Sequence, residues 1–287
     1  MTTRIIAPPR HLANYIRFYW LLEFDGIAAH DSLFRVFARK YPRMVFQHCE
    51  GRSGIYHGDD YLPLTYLSGL NTLPYDCGIH PSISTIGVSF YPHAIRPIFG
   101  INVSGIVNEL PDLSHFVKTS LTNQLLDART VMQRTTILSA FFTNRLRNST
   151  APDKMYVQGW RMLLRETHEH QVRQLTRTFN LSERQLERRF KDHLGLTPKQ
   201  YLKINRFEKA LNLLQAGSCN NLFDIAYELG YADQSHFIRE FKQFSGNTPK
   251  QYLNTDKIYD ESSSFILKNS PVSGEKVLCR QSLYASR

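Results

Sequence analysis

Two short segments of the chain carry the same basic and polar chemistry at positions 51 residues apart. Arg188 and Arg239 form the clearest pair, and each has hydrogen-bonding side chains in the residues just before it. A guanidinium group can donate two parallel hydrogen bonds to O6 and N7 of guanine, so an arginine on an exposed helix could recognise a base pair. A solvated helix face is the alternative interpretation. The side chains that we expect at a DNA interface are Ser182, Arg184, Gln185, Glu187, Arg188, Asp233, Gln234, Ser235, His236, Arg239, Lys199 and Lys250.

An internal repeat explains why these segments match. Residues 195–202 (GLTPKQYL) and 246–253 (GNTPKQYL) are nearly identical, and the residues before them follow the same offset. Two units with the same chemistry at matched positions indicate a duplicated structural element. Each unit is typical of a helix-turn-helix, with a first helix near 172–179 or 222–229 and a second helix after a short turn.

Capping signals place the helix starts. Ser182 and Asp233 precede the two second helices, where an N-cap side chain accepts a hydrogen bond from the backbone of the first turn. Pro198 begins a further helix, which we expect to run to about Gln215 and to stop at Gly217. At 1.5 Å per residue this connector is about 27 Å long. It could therefore hold two recognition helices near the ~34 Å spacing of successive major grooves.

The charge of the chain favours a polyanionic partner. The 287 residues include 35 Lys or Arg and 25 Asp or Glu, which gives a formal net charge of +10. Much of this excess lies in residues 171–210, which carry a net charge of +6. A basic cluster of this kind is the electrostatic signature of nucleic-acid binding, so we expect double-stranded DNA as the partner.

The N-terminal part predicts a different kind of structure. Proline and glycine are frequent before residue 112, and they separate short runs of alternating apolar residues that are typical of strands. These runs are Leu62-Leu64-Tyr66, Ile86-Val88-Phe90 and Met44–Phe46. From Leu121 onward the spacing of apolar residues changes to three and four, which predicts two amphipathic helices. Their apolar residues are Leu121, Leu125, Ala128 and Met132, then Leu138, Phe141, Phe142 and Leu146.

Three regions follow from these patterns. We expect a sensor or interaction domain over residues 1–150, which is β-rich over 1–111 and helical over 112–147. A double helix-turn-helix domain covers 153–254, and a loosely ordered tail covers 255–287. The predicted fold class is therefore α+β: an N-terminal, mostly β domain (cupin-like, or a small barrel or sandwich) with trailing helices, then an all-α domain in which a long helix joins two helix-turn-helix units.

The cysteines and histidines give little sign of a metal or catalytic site. Cys49, Cys77, Cys219 and Cys279 form no Cys-x-x-Cys pair, which argues against a disulfide framework and against structural zinc. No Gly-x-Ser-x-Gly, His-Glu-x-x-His or Gly-rich phosphate loop is present. Every apolar run is shorter than a membrane span, and the N-terminus lacks the apolar core of a signal peptide. We therefore expect a non-enzymatic cytoplasmic protein with no metal, no cofactor and no membrane contact.

The second unit resembles the AraC/XylS type of transcription regulator. The resemblance covers residues 155–253 and is clearest in Asp224-Ile225-Ala226, Gly230-Tyr231, Asp233-Gln234-Ser235-His236-Phe237, Arg239, Phe241-Lys242, Gly246 and Thr248-Pro249. It implies promoter binding and, in activators, contact with RNA polymerase. A weaker resemblance to the sensor-type domain of one AraC branch is carried by Leu12, Tyr15-Ile16, Tyr19-Trp20, Glu23, Val88-Ser89-Phe90 and Pro92.

Three functions stay open at this point. In the favoured one, a small organic effector binds within residues 1–120 and the helices of 121–147 transmit its occupancy to the DNA-binding domain; those helices could instead close the sensor core or form a homodimer seam. The second is a constitutive DNA-binding regulator whose N-terminal domain serves only for dimerisation or protein contact. The third is a DNA-repair alkyl-acceptor enzyme, which is disfavoured because neither Cys49 nor Cys77 lies in a Pro-Cys-His-Arg-like setting. The effector, the operator and the sign of regulation do not follow from the sequence.

Overall fold

A computed structural model describes residues 2–23, 32–149, 152–165, 170–217, 221–254 and 265–268. The strands are β1 (Thr2–Ile6), β2 (Ile16–Glu23), β3 (Ser32–Val36), β4 (Arg43–His48), β5 (Ile55–His57), β6 (Asp60–Tyr61), β7 (Thr65–Ser68), β8 (Tyr75–Ile79), β9 (Ser84–Phe90) and β10 (Phe265–Lys268). The α-helices are α1 (Ile95–Phe99), α2 (Leu121–Asp127), α3 (Val131–Arg147), α4 (Lys154–Arg165), α5 (His170–Phe179), α6 (Glu183–Leu194), α7 (Pro198–Ala216), α8 (Leu222–Glu228), α9 (Gln234–Ser245) and α10 (Pro249–Leu253).

Two antiparallel sheets of five strands form the N-terminal domain. Their strand orders are β1-β2-β9-β4-β7 and β10-β3-β8-β5-β6. Because neither described sheet closes on itself, the domain is a sandwich and not a barrel. The predicted α+β class is confirmed, with strands before the helical domain and helices trailing the sheets.

Strand alternation gives the first sheet two buried faces. On β2, Phe18 and Trp20 point into an apolar cluster shared with Phe34 of the second sheet. Tyr19 and Leu21, which point the other way, pack in a second cluster with residues of the trailing helices. Successive side chains of a strand lie on opposite faces, so the continuous apolar run of β2 is what a central layer requires. The layers are therefore sheet, sheet and helices.

The trailing helices are two, as the spacing predicts. Leu121 and Leu125 of α2 and Leu138 and Phe142 of α3 are buried in the same cluster as the first sheet. Met132 is an exception to the predicted apolar stripe, because its side chain is 78% exposed. It lies in the first turn of α3, after the chain has left α2, so it does not continue the α2 face.

One predicted strand is shifted. Leu62 and Leu64 lie before β7, which starts at Thr65, and only Tyr66 of that alternating run is in the strand. Pro63 separates the two leucines and has no N–H to donate to a ladder, which explains the late start. The runs that contain Met44 and Val88 are confirmed as β4 and β9.

The tail returns to the N-terminal domain. β10 comes from the segment that was expected to be loosely ordered, and it pairs antiparallel with β3 at the edge of the second sheet. The remaining residues of 255–287 lie outside the described residues. Among the described helices, none combines the length and apolarity needed to cross a membrane.

Candidate nucleic-acid interface

The second helices of the two units, α6 and α9, are built alike. Each has 12 residues, and each begins after a side chain that caps its backbone: Ser182 accepts from the N–H of Gln185, and Asp233 accepts from the N–H of His236 at 2.7 Å. Each helix ends at a glycine in the left-handed region, with φ of 77° and 76°. The sequence repeat therefore reproduces the start, the length and the end of the helix.

Each of these helices buries one face and exposes the other. Leu186 and Phe190 of α6 are fully buried, as are Phe237 and Phe241 of α9, at the offset of 51 residues. The spacing of four residues brings each pair onto one face. The polar residues near the N-terminal end of each helix are consequently directed outward.

The predicted DNA-contacting residues lie on this outward surface. Those with exposed side chains are Ser182, Arg184, Gln185, Arg188, Lys199, Asp233, Gln234, Ser235, Arg239 and Lys250. Glu187 and His236 are half-buried. Two of the exposed residues also serve the helix itself, since the Oε1 of Gln185 accepts a hydrogen bond from the backbone N–H of Ser182 at 2.9 Å. Lys199 and Lys250 lie in the first turns of α7 and α10, where free backbone N–H groups favour an anion.

His236 has local contacts in addition to its exposed edge. Its ring lies edge-on to Tyr231, with centroids 5.3 Å apart, and its Nε2 is 3.9 Å from a carboxylate oxygen of Glu240. Glu240 itself is buried and accepts from the Arg206 guanidinium at 2.9 Å through both oxygens. The Arg206 guanidinium carbon lies 4.0 Å from the centre of the Tyr231 ring. This ion pair fixes α9 against the connector, and the sequence analysis missed it. The available signal was an acidic residue between the buried Phe237 and Phe241.

The connector α7 is a core helix of the domain. It spans 19 residues, from Pro198 to Ala216, and ends at the following Gly217, whose φ is 61°. That length corresponds to about 28 Å. Tyr201 and Phe207 are fully buried along it, and Tyr201 accepts a 2.6 Å hydrogen bond from the indole N–H of Trp160 in α4. The distance between the two units is therefore set by a rigid, packed element.

The N-terminal domain contacts the opposite ends of the two recognition helices. Ser104 donates to the carbonyl of Asp192, at the end of α6, at 3.4 Å. The backbone N–H of Ala38 donates to the carbonyl of Phe244, at the end of α9, at 2.9 Å. These contacts leave the N-terminal halves of both helices open.

The segment between β3 and β4 makes the remaining contacts with the connector. Phe37 lies edge-on to Phe207, with ring centroids 6.2 Å apart. The side chain of Lys40 pairs with Glu208 at 3.0 Å, and its backbone N–H donates to the same carboxylate at 2.8 Å. These contacts come from the loop that follows β3, and transmission of effector occupancy through residues 121–147 stays a prediction.

Two known families match separate parts of the chain. The family described as a helix-turn-helix domain matches residues 175–255. A domain of unknown function (DUF6597) matches residues 4–112. The second match covers the strands β1–β9 of the sandwich and assigns no activity to them.

Curated relatives match about a quarter of the chain. The HTH-type transcriptional activator RhaS of Escherichia fergusonii is 41% identical over 73 residues, which are 25% of this chain and 26% of that protein. RhaS of Enterobacter sp. (strain 638) is 40% identical over 73 residues, with the same coverage. The chain thus spans about a quarter of the length of the curated relatives it matches.

The alignments with solved structures have TM-scores below 0.5. Apo ToxT from Vibrio cholerae aligns over 82% of this chain and 96% of its own, with a TM-score of 0.45 and 14% identity. The C-terminal domain of AraT, a response regulator from Geobacillus stearothermophilus, covers 38% of this chain and 91% of its own, with a TM-score of 0.34 and 25% identity. Together with the matched motif, the sequence relatives identify the C-terminal part of the chain as a DNA-binding helix-turn-helix domain of the AraC/XylS type.

Proposed function

We propose that the chain is a sequence-specific, one-component transcription regulator. One observation carries the proposal: a packed helix joins two capped recognition helices of equal length, and both present exposed polar side chains at their N-terminal halves. One polypeptide can then place side chains in two successive major grooves. In this proposal Arg188 and Arg239 contact base edges, while Lys199 and Lys250 neutralise phosphates.

The N-terminal sandwich serves as the sensor in this proposal. Its direct contacts with the ends of α6 and α9 give it a means to alter the orientation of both recognition helices. A ligand that binds one orientation better than another shifts the population toward it. Because the matched relatives are named transcriptional activators, we propose that the chain acts in the cytoplasm and activates transcription by contacting RNA polymerase at a promoter. The alternatives are a homodimer and a purely constitutive regulator, whose affinity for DNA does not depend on a ligand.

The repair-enzyme alternative is disfavoured by the described cysteines. Cys77 is buried between the sheets, and burial raises the pKa of its thiol to about 12. An alkyl acceptor needs a reactive thiolate, which such a thiol does not supply near neutral pH. Cys49 is half-buried, and its Sγ lies 3.1 Å from Nδ1 of His80. Cys219 and Cys279 lie outside the described residues.

Genome-wide mapping of bound sites with the full chain tests the proposal. We expect a reproducible promoter motif with two elements about one helical turn apart. In gel shifts, the double variant Arg188→Ala/Arg239→Ala should no longer bind these sites. The control variant Arg52→Ala, whose side chain is exposed on the N-terminal domain, should still bind them. Binding scattered over the genome without a motif would contradict the proposal.

A further inference from the structure

Two buried arginines lie between the sheets, at the end of the sandwich that faces the connector helix. Arg39 and Arg43 are 6% and 4% exposed. One terminal nitrogen of Arg39 donates to the hydroxyls of Ser68 and Tyr75, each at 3.0 Å. The guanidinium carbon of Arg43 lies 5.8 Å from the centre of the Trp20 ring. Both charges are thus held inside the apolar layer between the two sheets.

The cluster presents hydrogen-bond donors that have no acceptor. Within the described residues, the Nε atoms of Arg39 and Arg43 and the indole Nε1 of Trp20 are buried without a hydrogen-bond partner. All three are N–H donors. A buried donor left without an acceptor costs about 1–3 kcal/mol, so three together need an explanation.

The positive charge of the cluster is also only partly compensated. Burial lowers the pKa of Arg43, and the neighbouring charges of Arg39 and Arg17 lower it further. Burial raises the pKa of Tyr66 and of Tyr75, so these phenols stay neutral and supply no counter-charge.

The nearest carboxylates are already paired with other cations. Asp76 accepts two hydrogen bonds from Arg35, at 2.7 and 2.9 Å. Glu208, whose charge partly favours the ionised Arg43, pairs with Lys40. Buried charges without a partner are strongly unfavourable, and an external anion is what the geometry lacks.

We propose that Arg39, Arg43 and Trp20 bind the carboxylate of a small organic molecule whose remaining part is apolar. The guanidinium forks match the two oxygens of a carboxylate, and the indole N–H adds a third donor. The surrounding apolar side chains would receive the rest of the molecule; they are Phe34, Val36, Val45, Ile55 and Ile79. Calling this molecule an effector rests on the proposed function.

The position of Arg39 links this site to the DNA-binding domain. Arg39 lies between Ala38, which donates to the end of α9, and Lys40, which pairs with the connector. An anion that draws the Arg39 guanidinium toward it therefore acts on the same short segment that holds the second recognition helix. Occupancy of the site should change the affinity for operator DNA.

Thermal unfolding of the full chain tests the site directly. The probes are benzoate and octanoate, with benzamide and octanamide as neutral counterparts and inorganic phosphate as an anion without an apolar body. We expect benzoate or octanoate to raise Tm progressively with concentration, by roughly 5 °C at about 100 times Kd, in the wild type and in the exposed-site control Arg52→Met. Arg43→Met should abolish this shift. Without ligand, the same variant should unfold at an equal or higher temperature than the wild type, because methionine removes a buried charge that is only partly compensated.

Three results of the ligand titrations would overturn the proposal. They are the absence of a carboxylate-dependent shift, an equal shift in Arg43→Met, and a shift with phosphate alone. A strong loss of stability in ligand-free Arg43→Met would also overturn it, since Arg43 would then be paired within the fold. DNA binding is measured in parallel on the same proteins. If the wild type binds carboxylate but no DNA motif, the proposed function fails while the anion site stands.

Discussion

The two helix-turn-helix units share their ends and differ in what holds them. Matching caps and matching left-handed glycines give α6 and α9 the same length, as the repeat demands. Their sides are fixed differently, because Glu240 of α9 is buried against Arg206, whereas the equivalent residue of α6, Arg189, is exposed. Local sequence therefore determines where each helix begins and ends. The residues around each helix determine how it packs against the rest of the domain.

The contacts at the helix ends show the same divergence. A Cβ added at Gly195 would meet the backbone Cα of Ser104 at 2.7 Å and a methyl of Val107 at 2.5 Å. A Cβ added at Gly246 would meet the end of the Arg35 side chain at 2.6 Å. The first unit thus packs against rigid backbone, and the second against the Arg35 guanidinium, which is hydrogen-bonded to Asp76 and Asn247. The second unit compensates with its ion pair to the connector.

The two units should differ most in the free energy of unfolding that is lost when the buried ion pair of the second unit is broken. Replacing Glu240 by alanine leaves the Arg206 charge buried without its partner, so we expect a loss of about 3–5 kcal/mol in the free energy of unfolding. The matched change in the first unit, Arg189→Ala, should cost less than about 0.5 kcal/mol because that side chain is exposed. Urea unfolding of both variants measures the contrast. Equal losses would show that the two units are held alike.

The glycine pair gives the next largest contrast. Both glycines have positive φ, so alanine is strained at either position by about 1–2 kcal/mol. Gly195→Ala should lose more stability, about 2–3 kcal/mol in all, because Ser104 and Val107 must move. Gly246→Ala should lose less, about 1–2 kcal/mol, since only the end of the Arg35 side chain must shift. Denaturation midpoints with unchanged slopes would measure this order, and the reverse order would contradict the description of the two contacts.

The two arginines that we propose as base contacts test whether the exposed faces differ as well. Arg188→Ala and Arg239→Ala should each weaken binding to a specific site by about 1–3 kcal/mol and relax base preference in one element of that site. Lys199→Ala and Lys250→Ala are the matched comparison, because they should weaken binding to all sequences and reduce the salt dependence by about one ion. Titrations on specific and unrelated DNA at several salt concentrations distinguish the two classes. Arginine variants that lose both kinds of binding equally would refute the assignment of base contacts.

Acidification should lower the stability of the first unit more than that of the second. This is the smallest of the expected effects. His193 of α6 stands where α9 has Phe244, and burial lowers its pKa below the ordinary value of 6.5 despite the nearby Asp153. The unfolded chain therefore takes up a proton more readily than the folded protein, so stability falls as the pH drops through 6.5 toward the lower folded value. His193→Phe should remove this part of the pH dependence in unfolding measured between pH 7.5 and 5. An unchanged pH profile in the variant would contradict it.

The features that could be predicted from the sequence are those that neighbouring residues decide. Ser182 and Thr248 cap helices through residues three positions away, and Gly217 ends a helix at its own φ, so pattern and spacing were sufficient. The late start of β7, after Leu64, was not predicted because Pro63 acts on strand pairing, and strand pairing depends on a partner that is distant in sequence.

Long-range pairs mark the limit of that approach. Arg206 and Glu240 meet across 34 positions of sequence, and nothing near either residue identifies its partner. The same holds for Arg39 and Arg43, which look like ordinary loop and strand arginines until the two sheets close over them. The proposed anion site thus depends on tertiary packing, while the proposed DNA-contacting residues follow from helix periodicity.

The central claim is that one chain holds two recognition helices at the spacing of successive major grooves. Hydroxyl-radical footprinting of the full chain on its operator, with the protein-to-DNA ratio measured by analytical ultracentrifugation, tests it most directly. We expect one chain to protect two backbone patches on one face of the DNA, about one helical turn or ~34 Å apart. A single patch per chain, or two patches that appear only when two chains are bound, would contradict the claim.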